Sequence, residues 1–173
     1  GYRDVETMPF IPISALKGDN VVRHSKNMPW YSGPTLYEAL EGLKEPPRPA
    51  EKPLRLPIHR HFHRGNIAVG VVETGVISKG DTVIVVPAGA VGKVASIEAW
   101  GKRIEKAYPG DDIGVKIKGV ARYHIKRGFV IAHPETAPKA VRNFIGRIKV
   151  LSSQGIWPGF CPVVYCHQAR VSC

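Results

Sequence analysis

His59, His61 and His63 alternate with Arg60, Phe62 and Arg64 in the stretch "LPIHRHFHRGNIAVG". On an extended strand, residues two apart share a face, so the three imidazoles are expected to stand together. Three kinds of chemistry fit that pattern: a metal site, a phosphate-gripping patch, or a solvated strand face. A metal site needs imidazoles that converge at about 2.1 Å on one ion, with further groups to orient them. Alternation on a single strand supplies only the residue type, so no metal is expected here. Arg60 and Arg64 beside neutral imidazoles suit phosphate oxygens, which makes the pair a candidate RNA contact.

Other reactive templates are missing. The sequence has no G-x-S-x-G, no H-E-x-x-H and no G-x-x-x-x-G-K-[ST]. "GAVGK" has the wrong spacing for a phosphate loop and falls inside a strand-like run rather than ahead of a helix. Cys161, Cys166 and Cys173 are odd in number and lack a C-x-x-C pair, as expected of a reduced, cytoplasmic chain with small, partly buried thiols. Cys166 and His167 are adjacent, so a strand sends them to opposite faces and core filling is the expectation for the cysteine. No catalytic residue is expected.

A surplus of 25 Lys and Arg over 14 Asp and Glu gives a net charge of +11. That balance favours a polyanion, RNA first, as partner. No apolar run reaches the length of a membrane span, and no charged-then-apolar leader opens the chain. No membrane partner is expected, and Gly1 reads as an internal start.

The elements that must position these residues fall into three textures. An apolar strand, Pro9 to Ile13, and a Gly/Asp/Asn turn lead to a helix at "SGPTLYEALEGL". There Ser32 or Gly33 leads in, Pro34 sits in the first turn, and Leu36, Leu40 and Leu43 share a face. "KEPPRPAEKP" reads as a stiff linker. From Leu54 onward, short β-branched runs separated by glycine turns, with Gly80 and Gly110 at positive φ, predict a small closed antiparallel β-barrel. A further strand from Ala140 to Leu151 opens a second, incomplete β unit. The fold class expected is mainly β, with an α/β tail before the barrel.

Six strings, "FIPISALKGDNVV", "NMPWYSGPTLYEAL", "KPLRLPI", "VETGVISKGDTV", "YPGDDIGVKIKGV" and "IKRGFVIAH", together resemble the archaeal and eukaryotic elongation factor 1-alpha family. That family is similar to bacterial elongation factor Tu. The resemblance implies a GTPase that delivers aminoacyl-tRNA to the ribosome, with a nucleotide domain followed by two barrels. Residues 1–45 then end the GTP-binding domain, 46–53 form a Pro-rich linker, 54–133 form the second domain, and 134–173 open the third. The resemblance also implies GTP with Mg2+ as cofactors of the parent protein, and the ribosome and a nucleotide-exchange factor as partners.

By this resemblance Ser14, Ala15 and Leu16 match the loop that contacts guanine, where small residues let the main chain approach a planar ligand. Glu98 matches the carboxylate near the terminal adenosine of tRNA, able to accept a hydrogen bond from a ribose hydroxyl. Trp100, two residues on, is placed to stack on a base or to pack at the barrel rim. The phosphate loop and magnesium ligands of the family lie upstream of Gly1, so the chain alone is expected to bind no GTP. The segment "HRHFHRGNIAV" departs from the family's usual "QDVYKIGGIGTV". Two other memberships stay open: a release or ribosome-rescue GTPase whose barrels bind a tRNA-mimicking protein, and the GTPase subunit of sulfate adenylyltransferase.

Overall fold

The computed structural model describes residues 8–62, 66–150 and 155–172. The chain separates into two compact units, Gly1–Pro47 and Arg48–Cys173.

The first unit is organised around one buried amide. The Asn20 side chain donates to the Pro12 carbonyl at 2.9 Å and accepts from the Ser25 N–H at 2.8 Å. Its backbone sits at φ 53, a left-handed conformation that Asn tolerates better than most residues. The backbone carbonyls of Asn20 and Val21 take the N–H groups of Leu36 and Tyr37, both at 2.9 Å. They thereby satisfy donors that a helix start leaves open.

The helix itself, α1 (Leu36–Glu41), is capped by Thr35 rather than by Ser32 or Gly33. Thr35 Oγ1 accepts from the Glu38 N–H at 3.2 Å, and Glu38 Oε2 accepts from the Thr35 N–H at 2.8 Å. Pro34 therefore precedes the cap instead of lying in the first turn. The expected strand from Pro9 to Ile13 does not form. Pro12 has no N–H to give to a ladder, and the pairing found nearby is limited to isolated bridges such as Ser14 with Asp19. Leu40 and Leu43 are exposed, and Leu43 lies beyond the helix end.

In the second unit the β-branched runs become strands, all pairing antiparallel. They are β1 (Leu56–Pro57), β2 (Arg60–Phe62), β3 (Ile67–Val71), β4 (Ile77–Ser78), β5 (Thr82–Val86), β6 (Ala90–Ala99), β7 (Lys102–Ile104), β8 (Lys106–Ala107), β9 (Asp112–Lys118) and β10 (Val130–Ala132). The main sheet runs β1-β10-β5-β6-β9-β3-β2, with β7 beside β6 and a small β4-β8 pair.

The two ends of that order are halves of one chain segment. Ile58 N–H still bonds the β10 side, to Phe129 O at 2.8 Å, while His59 N–H already bonds Val69 O of β3 at 2.9 Å. The sheet thus returns on itself around one core. Alternate residues of β5 and β9 point inward, and Val83, Val85, Ile113 and Val115 join Leu56, Ile58, Ile97 and Ile131 at no more than 1% exposure. Each such side chain stabilises the fold by about 1.5–3 kcal/mol relative to exposure. Gly80 and Gly110 turn at φ 93 and 95, as the glycine spacing predicts.

After the barrel the structure differs from expectation. Residues 140–150 form no strand, and Val141, Phe144, Ile145 and Ile148 along them are exposed. Among the described residues no strand pairs with them to form a ladder. A hairpin forms later instead, β11 (Val163–Cys166) with β12 (Ala169–Ser172). Cys161 and Cys166 are exposed rather than part of a core; Cys173 lies outside the described residues. The hairpin lies against the barrel, where Arg127 Nη2 donates to Gln168 Oε1 at 3.0 Å and His167 Nδ1 stands 3.5 Å from Glu73 Oε1.

Candidate nucleic-acid interface

Strand register decides which side chains meet on the outside of the barrel. Across β2, β3, β9 and β6, one rung runs Phe62, Ile67, Lys116, Ser96, and the next runs Arg60, Val69, Gly114, Glu98. Gly114 leaves a gap in the second rung, between Val69 and Glu98. A Cβ built there would lie 3.2 Å from Ile67 Cγ2, so any side chain would fill the space. Glycine inside a strand often marks a close approach by a ligand or another backbone. The result is a shallow groove of about 390 Å³ lined by Phe62, Ile67, Glu98, Trp100, Asp112 and Gly114, among others.

Two of the residues singled out from sequence, Glu98 and Trp100, therefore share one site. Glu98 is half-exposed and lies 3.6 Å from the Nε of its cross-strand partner Arg103. Trp100 is 92% exposed at the tip of the β6–β7 hairpin. Ala99 pairs with Lys102 across a two-residue loop in which Trp100 and Gly101 have φ 52 and 72. Positive φ at both loop positions is the twist-matched hairpin geometry, but it is met comfortably by Asn-Gly rather than Trp-Gly. Packing on the barrel rim, the alternative open to Trp100, is not what holds it.

Phe62 escaped the sequence reading. Its ring lies beneath the Arg60 guanidinium, 5.8 Å from centroid to Cζ, on the exposed side of β2. The signal available was the alternation itself: the phase that puts His59 and His61 on one face puts Arg60 and Phe62 on the other.

The histidines do not act together. His59 Nε2 stands 3.8 Å from Asp112 Oδ1 at the groove edge, whereas His61 Nε2 is 3.2 Å from Asn66 Oδ1. Asn66 in turn donates to the Val120 carbonyl at 2.8 Å. Among the described residues no group of three or more His, Cys, Asp or Glu is placed to hold a metal ion. His63 and Arg64 lie outside the described residues.

In the first unit, Ser14 to Gly18 form a tight turn. Gly18 N–H bonds Ser14 O at 2.7 Å, and Lys17 N–H bonds Ser14 Oγ at 3.3 Å. Ala15 is exposed and Leu16 is 96% exposed. No helix among the described residues is long and apolar enough to cross a membrane.

Residues 65–132 match the sequence model of Elongation factor Tu domain 2. Over 176 aligned residues the chain is 46% identical to the elongation factor 1-alpha of Staphylothermus marinus, covering 99% of this chain and 40% of that protein. The chain thus spans about two-fifths of the length of the relative it matches. Among solved structures, translation elongation factor SelB from Methanococcus maripaludis in its apo form gives a TM-score of 0.53 at 27% identity, covering 58% of this chain and 22% of that one. Sup35 complexed with GMPPNP gives a TM-score of 0.60 at 24% identity over 93% of this chain and 40% of that one, a likeness of fold.

Proposed function

We infer that this chain, homologous to elongation factor 1-alpha over 99% of its length, is part of a translation elongation GTPase that carries aminoacyl-tRNA to the ribosome. In this reading residues 1–45 close the nucleotide domain, 54–133 form its RNA-contacting barrel, and 134–173 begin the next. The observation that carries it is the groove at Gly114, where a carboxylate and an unpacked indole flank a space with no side chain.

The chemistry of the groove sorts its ligand. Glu98 and Asp112 repel phosphate but accept hydrogen bonds from ribose hydroxyls and exocyclic amines. Trp100 and Phe62 offer π-faces to a base. We assign the groove to the 3′-terminal nucleoside of tRNA, with Glu98 accepting from its ribose and Trp100 covering the base. Arg60 and Arg103 at the rim face the negative backbone, and Arg64 is assigned the same role from its sequence neighbourhood alone. GTP belongs to the parent protein, where the exposed Ala15 and Leu16 turn suits contact with the guanine edge. No hydrogen bond among the described residues uses the Ala15 and Leu16 N–H groups. We assign no residue of this chain to the phosphates or Mg2+. The ribosome, an exchange factor and a cytoplasmic location follow for the parent on the same reading.

The test compares RNA oligonucleotides ending in adenosine or in 2′,3′-dideoxyadenosine. The chain should prefer the hydroxylated end, and Glu98→Ala should erase that preference. A hydrogen bond to a charged group contributes about 1.5–3 kcal/mol, or roughly 10- to 150-fold in affinity. A preference that survives Glu98→Ala removes the terminal-nucleoside assignment and turns the reading toward a relative whose barrel binds a protein.

A further inference from the structure

We draw no further inference here: the strongest candidate, the pocket of about 490 Å³ between the β11–β12 hairpin and the residues ahead of β10, where Arg127 and Arg170 would meet a phosphate, restates an established property of this elongation factor family.

Discussion

Trp100→Asn should make the protein more stable and a worse RNA binder. The left-handed conformation costs an L-residue roughly 1–2 kcal/mol, and Asn followed by Gly is the pair best suited to a two-residue hairpin loop of this geometry. Against that gain stands the contact the indole gives up. Trp100 is 92% exposed at φ 52, so less than a tenth of its surface is withdrawn from water. A large aromatic side chain covers about 150–250 Å². The buried remnant is then about 20 Å², worth about 0.5 kcal/mol at ~25 cal/mol per Å². The balance is a net stabilisation of about 0.5–1.5 kcal/mol, or up to about 3–6 °C in melting temperature for a chain of this size. Binding should move the other way. Stacking on an aromatic contributes about 1–3 kcal/mol per base, so affinity for RNA should fall about 5- to 150-fold. Urea denaturation and fluorescence anisotropy on one protein sample read both quantities. A variant less stable by more than about 1 kcal/mol would show that Trp100 is a packed residue. Unchanged affinity would show that the ring meets no base. Either result refutes the reasoning.

Two other outcomes follow from the geometry. Gly114→Val should weaken RNA binding at least about tenfold, with stability changed by no more than about 1 kcal/mol, because the new Cβ meets Ile67 Cγ2 at 3.2 Å and the Glu98 carbonyl oxygen at an ordinary 3.9 Å, and the rest projects into the groove. Unfolding of the barrel by this substitution would mean that Gly114 serves packing instead. Glu38 is held below the usual carboxylate pKa, first by its bond from the Thr35 N–H and then by the Thr35 side chain. A lowered folded pKa means the cap contributes fully above the ordinary carboxylate value and loses that contribution as pH falls through the lowered one. The Thr35 amide proton should shift over that acid window, and Glu38→Gln should remove the shift; a titration unaffected by Glu38→Gln excludes the capping carboxylate as its source.

Strand periodicity was the clearest signal in the sequence. The runs that became β3, β5, β6 and β9 alternate apolar and polar residues around glycine turns, and burial follows that alternation because one face of each must leave water. Where the apolar pattern lacked a partner, it misled. Residues 140–150 carry β-branched and aromatic residues but find no strand to pair with among the described residues, and Pro9 to Ile13 include two prolines that cannot donate. The site was half legible. Glu98 and Trp100 could be singled out, but their meeting with Phe62 around Gly114 depends on register across β2, β3, β9 and β6. Register over a separation of some fifty residues is set by tertiary pairing and leaves no local mark.

The segment that joins the two ends of the sheet also sets a clock. Leu56 pairs with Ile131, which the ribosome makes 75 residues later. At about 5–20 residues per second, the emerging chain waits about 4–15 seconds with that segment unable to take its final partner. During this interval its backbone donors and acceptors, and the apolar side chains of Leu54, Leu56 and Ile58, have no native cover on the β10 side. Nascent chains stalled before residue 131 should therefore be the ones that chaperones and proteases recognise, and release past it should end that exposure in a single cooperative step.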